Sequence, residues 1–414
     1  MADLFPICRS ITGNGVRETL ALLGDHIPLE VHEVPTGTQV FDWTIPREWN
    51  IRDAYIKDAA GERVVDFRAS NLHVVSYSTP ISARMSLTAL KEHVTTIPDQ
   101  PGLVPYKTSY YREDWGFCLA HDTLLGLADG DYEVCIDSTL EDGHLTYGEH
   151  VVPGEREDEV LISTHVCHPS LANDNLSGIA VATFLARHLT RNPGRLTYRF
   201  VFVPGTIGAI AWLSENRSDV ARIEHGLVLT GVGDPGRPTY KRSRRGASEI
   251  DRAVEHVLEH SGDDYEVVDF SPYGYDERQY CSPGFDLPVG CFMRTPWGRY
   301  PEYHTSADDL AFVRAESLAD SLEKVRAALS VVDGNVTYTS KSPFGEPQLG
   351  RRGLYRPAGG LKDESERELA LLWVLNLSDS THSLLDVAER SGLRFDVIRA
   401  AADALVEADL LAEA

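Results

Sequence analysis

The chain of 414 residues lacks several features that would place it in a class at once. It has no apolar run near the roughly 18 residues of a transmembrane helix, and it begins without a basic segment followed by an apolar one. We therefore expect no membrane partner and no secretory signal. The six cysteines contain no CxxC pair, which predicts free thiols in a reducing cytoplasm.

Basic residues are also scarce, since 39 Lys and Arg stand against 63 Asp and Glu, a formal charge of −24. Binding to a phosphate backbone needs a surplus of basic side chains, so nucleic acid is not expected as the main partner. The hydrophobic fraction of 42% is that of a globular protein, and the length allows two or three domains.

Most of the chain shows one of two patterns of hydrophobic residues. Short runs rich in Val, Ile, Tyr and Thr, such as residues 72–77 and 132–136, predict a mostly β domain over 46–145. From about residue 158 the pattern changes. There, four buried apolar strands alternate with helices, which predicts a parallel or mixed sheet. The predicted strands are 160–164, 198–204, 227–230 and 289–293; the predicted helices are 176–188, 207–216, 247–260 and 307–332.

The C-terminal part is predicted to form a separate domain over 345–414. A Pro- and Gly-rich linker at 342–360 precedes three helical patterns, at 364–377, 383–391 and 395–408. The short turn between the last two predicts a helix-turn-helix or winged helix. Because this region has 8 basic and 13 acidic residues, docking or homo-oligomerisation is favoured over DNA reading.

Polar clusters follow the predicted strands, where ligands of such sheets bind. In residues 164–178, His165, His168 and Asp174 lie within ten positions, just before a helix. Imidazole and carboxylate are ligands of catalytic zinc, although Asp174 could instead cap the helix. A second cluster at 301–309 contains His304, which is either a ligand or a hydrogen-bonded loop histidine.

Four further clusters have a structural and a functional reading. The charged segment 273–280 is either an exposed loop or part of a site. Four cations within 241–245 are either solvated or bind a carboxylate or phosphate. Two aromatic clusters, Tyr106 with Tyr110 and Tyr111, and Trp115 with Phe117, either pack in the core or between domains or form a substrate wall. As a wall, Tyr110, Tyr111 and Trp115 are the expected substrate contacts.

Taken in order, these segments resemble a bacterial branch of aminopeptidase-like proteins with the zinc aminopeptidase fold. That branch has an inserted β domain and a C-terminal winged helix, and the resemblance covers nearly the whole chain. The segments that carry it are 109–111, 115–118, 167–178, 276–284, 303–306 and 352–355.

The resemblance implies a three-layer α/β catalytic domain over 1–45 and 146–340, with the β domain of 46–145 inserted into it. It also implies that His165, Asp174 and His304 hold Zn²⁺. It also identifies two departures. Cys167 stands where the broader group has an orienting Asp, and Gly205 stands where the close branch has a Glu. Without that carboxylate a second metal lacks a ligand, so we expect one zinc and lowered activity.

The main hypothesis is a zinc-dependent hydrolase that cleaves an amide bond in a small peptide-like or amino-acid-conjugate substrate. A carboxylate must replace the missing base, and the candidates are Glu277, which we favour slightly, Asp276 and Glu302. Arg278 or Arg244 is expected to bind a substrate carboxylate. The alternative is a hydrolytically inactive homologue that acts as a binding or scaffold protein; a regulatory DNA-binding protein is a third reading.

Overall fold

The structure, a computed structural model, describes residues 1–354 and 362–414, with the side chains of 362–365 left aside. The helices are α1 (Asn14–Gly24), α2 (Leu87–Lys91), α3 (His121–Leu125), α4 (Gly178–Arg191), α5 (Ile207–Glu215), α6 (Glu249–Glu259), α7 (Glu277–Tyr280), α8 (Ala315–Gly334), α9 (Lys362–Leu377), α10 (Leu384–Ser391) and α11 (Phe395–Glu407). The strands are β1 (Glu30–Pro35), β2 (Gln39–Val40), β3 (Trp43–Thr44), β4 (Glu48–Lys57), β5 (Arg63–Asp66), β6 (Ile81–Ser86), β7 (Val94–Thr95), β8 (Phe117–Cys118), β9 (Asp131–Glu141), β10 (His144–Val152), β11 (Glu159–His165), β12 (Thr197–Val203), β13 (Ile223–Leu229), β14 (Thr239–Lys241), β15 (Glu266–Val268), β16 (Val289–Met293), β17 (Thr337–Ser340), β18 (Asp379–Ser383) and β19 (Leu411–Glu413).

The described residues form two compact units. The first consists of Met1–Gly246 and Glu266–Leu322, and the second of Ala247–Tyr265 and Glu323–Ala414.

The first unit is built on an eight-stranded sheet in the order β1-β10-β12-β11-β13-β16-β14-β15. The central strands β12, β11, β13 and β16 are parallel. Strand β10 is antiparallel to both of its neighbours, whereas β14 is antiparallel to β16 and parallel to β15. Every residue of β11 is buried, as expected for a strand covered on both faces. The predicted mixed α/β sheet is therefore confirmed, and its parallel strands end at one edge.

A second, antiparallel sheet in the order β5-β4-β9-β6 lies within residues 46–145, so this segment is mostly β as predicted. The strand predicted over 72–77 is wrong. A 3-10 turn occupies Asn71–His73, and Val74 and Ser76 make only isolated bridges. Burial explains the apolar pattern, since Val74, Val75 and Tyr77 are 4–5% exposed without belonging to a strand.

The helix predicted over 307–332 begins later, at Ala315. The Asp309 side chain accepts hydrogen bonds from the backbone N–H groups of Ala311 and Phe312, which stabilises a turn instead of a helix. The residues before α8 are thereby left in a loop close to the sheet edge.

The second unit contains α9, α10 and α11 with a small sheet in the order β18-β17-β19, which is a winged helix as predicted. Gly392 follows α10 at φ 69°, a left-handed conformation that suits glycine at a helix C-terminus. The predicted linker at 342–360 lies partly outside the described residues.

None of the helices in the described ranges combines the length and apolar character needed to span a bilayer. All six cysteines are free, as predicted.

Helix α10 begins at a capping box in which the Ser383 hydroxyl and the Asp386 carboxylate each bind the other's backbone N–H. Replacing such a cap by alanine costs about 1 kcal/mol. We expect Ser383→Ala to speed hydrogen exchange of the α10 amides about fivefold, the equivalent of that free energy. Ser330→Ala, at an exposed position of α8, is the control, and equal exchange in both variants would contradict the assignment.

Candidate metal centre

Three side chains predicted as metal ligands meet at the carboxyl edge of the central sheet. His165 is the last residue of β11, and Asp174 lies in the turn Ala172–Ser177 that leads into α4. Nε2 of His165 is 2.8 Å from Oδ1 of Asp174, and Nε2 of His304 is 2.9 Å from Oδ2 of the same carboxylate. The Asp174 carboxylate therefore lies between two imidazoles that are 139 positions apart in sequence.

A third imidazole, that of His168, completes the cluster. His165, His168 and Asp174 each offer a ligand atom, and these atoms lie within 4.8 Å of one another. The His168 ring centroid is 4.8 Å from that of His165 and 5.3 Å from that of His304. His168 lies in the segment 164–178 that predicted the metal site, but the spacing of residues in the sequence does not show that its ring lies beside Asp174. We call His165, His168, Asp174 and His304 the histidine cluster.

The histidine cluster suits a divalent metal. Three imidazoles and one carboxylate are the borderline nitrogen and oxygen donors that zinc prefers, and its tetrahedral ligand atoms lie about 3.3 Å apart. His165 and Asp174 are nearly inaccessible, whereas the His304 side chain is 33% exposed, so the cluster opens to solvent on that side. Nδ1 of His165 is buried without a hydrogen-bond partner in the described part of the chain.

Protonation in the histidine cluster also matches metal binding, which requires neutral imidazoles and an ionised carboxylate. Burial lowers the pKa of His165 and, more strongly, that of His168. Burial acts to raise the pKa of Asp174, but the neighbouring His168 and the hydrogen bonds from His165 and His304 hold it well below its ordinary value.

Neighbouring polar groups fix the turn that carries Asp174. The carboxylate of Asp308 accepts hydrogen bonds from the backbone N–H groups of Asn173 and Asp174, at 2.5 and 3.0 Å. The Asn175 amide donates to Thr164 at 2.7 Å and accepts from the N–H of Gly231 at 3.2 Å. The turn is thus tied both to the loop before α8 and to the ends of β11 and β13.

The segment 104–106, from the predicted inserted domain, holds the other side of the histidine cluster. The N–H of Tyr106 donates to the carbonyl of His304 at 2.8 Å, and Val104 and Ser306 exchange two further hydrogen bonds. The Tyr106 ring lies edge-on at 5.1 Å from both His168 and His304. Tyr106 therefore borders the cluster, although only its aromatic neighbours were singled out as substrate contacts.

Tyr275 fills the space beside Gly205. A Cβ atom on Gly205 would lie 2.2 Å from Cε1 of Tyr275. The phenol packs on His165 with ring centroids 3.8 Å apart, and its hydroxyl is 3.5 Å from Sγ of Cys167. Burial raises the pKa of Cys167 to about 12, so this thiol stays protonated and is a poor nucleophile.

The three candidate carboxylates have different surroundings. Glu277 is fully buried, and its carboxylate forms an ion pair with Nζ of Lys241 at 2.8 Å. This pairing makes it a weaker candidate for a proton acceptor. Asp276 is fully buried, and its two oxygens have no hydrogen-bond partner in the described ranges; burial raises its pKa well above the ordinary value. The Glu302 carboxylate is half-buried, with no hydrogen-bond or ion-pair partner among the described residues. The slight preference for Glu277 is therefore not supported by its contacts.

The predicted aromatic contacts are distributed over several places. Tyr110 hydrogen-bonds through its hydroxyl to Tyr106 at 3.1 Å, one side chain removed from the histidine cluster. Tyr111 is 50% exposed and packs on Trp43, and Trp115 stacks on His93 at 3.8 Å. Of the three, only Tyr110 contacts a residue that borders the cluster, within the described residues.

The predicted anion-binding residues also differ. Nε of Arg278 is buried without a hydrogen-bond partner among the described residues, so this guanidinium has capacity for a ligand. Arg244 instead pairs with Asp286 at 2.7 Å, and Lys241 with Glu277. A substrate-binding role for Arg244 stays a prediction that these contacts do not favour.

The fold and the histidine cluster define an aminopeptidase-like protein with a C-terminal winged helix. Residues 1–335 match the family described as a domain of unknown function, DUF4910, and residues 336–413 match a winged helix-turn-helix family. The chain belongs to the DUF4910 family.

Known relatives agree with this assignment. A Clostridium acetobutylicum protein, whose name provisionally indicates polysaccharide biosynthesis and an aminopeptidase-like domain, is 52% identical over 99% of this chain and 94% of its own length. A protein of the same organism, described provisionally as a peptidase, has a crystal structure that matches this chain with a TM-score of 0.95 at 50% identity. The match covers 100% of this chain and 94% of the chain in the crystal structure. The zinc aminopeptidase of Bacillus subtilis has a TM-score of 0.58 at 13% identity, covering 80% of this chain and 93% of its own, which shows a shared fold.

The contact between Tyr275 and Gly205 predicts a coupled pair of substitutions. Gly205→Ala forces the phenol off His165, and overpacking of this kind costs about 1–3 kcal/mol in the free energy of unfolding. With Tyr275→Ala in the background, the same substitution should cost less than about 0.5 kcal/mol. Urea unfolding of the four proteins measures the coupling.

Gly24→Ala is the matched control, because no atom lies within 4 Å of the added methyl group. An equal cost of Gly205→Ala with and without Tyr275 would contradict the described packing.

Proposed function

We propose that this chain is a zinc-dependent hydrolase that cleaves an amide bond in a small peptide-like or amino-acid-conjugate substrate. His165, Asp174 and His304 are the proposed metal ligands, which leaves a fourth position open for water, and His168 lies beside them. The observation that carries the proposal is the Asp174 carboxylate lying between His165 and His304, with His168 beside it.

Zinc bound at these donors would polarise a carbonyl group and lower the pKa of a water molecule to about 7. The protein contributes the orientation of the donors. Asp308 holds the backbone of Asp174, and Tyr106 holds the backbone of His304, so both ligands are positioned before metal binds.

Glu302 is the proposed proton acceptor. Glu302 lies two residues before His304 in the same turn, and its carboxylate has no partner in the described residues, whereas the Glu277 carboxylate is paired with Lys241. Asp276 is fully buried, and burial raises the pKa of its carboxyl group well above the ordinary value, which favours the protonated form and makes it the less suitable proton acceptor.

Residues around the histidine cluster supply a substrate boundary. Tyr106 covers one side, backed by Tyr110, and Tyr275 occupies the space beside Gly205. Because aromatic rings border both sides, we propose a small substrate and assign the free guanidinium of Arg278 to its carboxylate. The names of the relatives associate them with peptidase chemistry and polysaccharide biosynthesis, which is compatible with an amide of a sugar-linked metabolite.

A second candidate is a hydrolytically inactive homologue that binds a metal or ligand. Gly205 favours it, because the phenol of Tyr275 stands where the resemblance implies a carboxylate. The two candidates differ in one measurable property, the turnover of amides by the unmodified protein.

Hydrolysis of a panel of aminoacyl amides and dipeptides tests the main proposal. We expect zinc-dependent turnover that Glu302→Gln lowers by about 10²–10⁴-fold, because a positioned base contributes that much. His304→Ala should abolish both turnover and stoichiometric zinc, measured by elemental analysis. Glu346→Gln, at an exposed position, is the control for loss of a carboxylate.

Turnover that appears only in the Gly205→Glu/Tyr275→Ala double variant would favour the inactive homologue. The second substitution is needed because the phenol fills the space that the new glutamate requires. Less than about half an equivalent of zinc in the unmodified protein would count against both the ligand set and the hydrolase.

A further inference from the structure

A second concave surface, which we call the aromatic pocket, lies on the first unit. The hairpin β2–β3 contributes Phe41 and Trp43, and the segment after α7 contributes Phe285. Ile210 and Leu213 of α5 form its apolar floor. Its volume of about 380 Å³ lies within the range of small-molecule sites, roughly 300–1,000 Å³, and no residue of the histidine cluster lines it.

Two of its aromatic side chains are unusually open to solvent. Phe41 is 43% exposed and Trp43 is 45% exposed, although exposed aromatic surface costs hydrophobic free energy. Each ring is braced by another: Phe41 meets Phe285 edge-on at 5.7 Å, and Trp43 packs on Tyr111 at 5.2 Å. The rings are thus held in place with part of their surface uncovered.

Polar side chains alternate with these rings. Asp42, Arg217 and Gln279 line the aromatic pocket, and none of their side chains has a hydrogen-bond or ion-pair partner among the described residues. A carboxylate, a guanidinium and a primary amide are planar groups, each able to make two parallel hydrogen bonds. The pocket therefore combines uncovered ring surface with unused planar donors and acceptors.

We propose that the aromatic pocket binds a pyranose ring of a saccharide. Such a ring has an apolar C–H face, which packs on an aromatic side chain, and a rim of neighbouring hydroxyl groups, which pair with planar polar side chains. A purely apolar ligand would bury Asp42, Arg217 and Gln279 unpaired, at a cost in free energy. A phosphorylated ligand is disfavoured because the single cation, Arg217, is accompanied by an anion, Asp42.

The proposal goes beyond the amide hydrolase and does not depend on it, because the two sites share no lining residue. Loss of sugar binding leaves the metal site untested, and failure of amide hydrolysis leaves the aromatic pocket unaffected. The aromatic pocket can therefore be tested in the zinc-free protein.

Saturation-transfer NMR of the full chain with glucose, galactose and N-acetylglucosamine tests the assignment. We expect saturable binding of at least one sugar, with no saturable signal from glycerol, which has no ring face. Trp43→Ala and Gln279→Ala should each weaken binding at least about tenfold, since one removes the ring and the other the amide.

Phe344→Ala, which removes a 97% exposed aromatic ring outside the aromatic pocket, should leave the affinity unchanged. Circular dichroism checks the folding of each variant, and Gln279→Ala carries the test if Trp43→Ala does not fold. Absence of saturable binding for all three sugars, or equal affinity in the folded variants, would overturn the proposal.

Discussion

The site depends on one buried carboxylate that lies between two imidazoles. Asp174 is 1% exposed, and an ionised carboxylate so deep in a protein requires compensating partners. His165 and His304 provide them, although they are 139 positions apart in sequence. The sheet edge, the Asp308 contacts and the Tyr106–His304 hydrogen bond all hold these three groups together.

The packing of Tyr275 against Gly205 defines one side of the histidine cluster. Gly205 leaves a space that Tyr275 enters, and the phenol then covers one face of His165. A reaction that needs a general base must therefore use another carboxylate. Glu302 is the candidate whose carboxylate has no partner among the described residues. The same geometry explains why both a slow hydrolase and an inactive homologue are physically reasonable outcomes.

Much of the fold followed from sequence because burial on both faces of β11, β12, β13 and β16 produces continuous apolar runs. The meeting of His165, Asp174 and His304 also followed from the sequence, because parallel strands end at one edge. Other features depend on side-chain direction or on distant pairing, which local patterns do not encode. The His168 ring turns inward, Tyr275 enters the Gly205 space, and Lys241 neutralises Glu277 across 36 positions. Residues 72–77 were misread because buried loops and strands share an apolar composition.

The proposed function requires that one divalent ion is held by His165, Asp174 and His304 together. Anomalous diffraction at the zinc absorption edge, from crystals grown with zinc, tests it most directly. We expect one strong peak about 2.0–2.2 Å from donor atoms of His165, Asp174 and His304. A peak elsewhere, or an empty site with the carboxylate still hydrogen-bonded to both imidazoles, would contradict it.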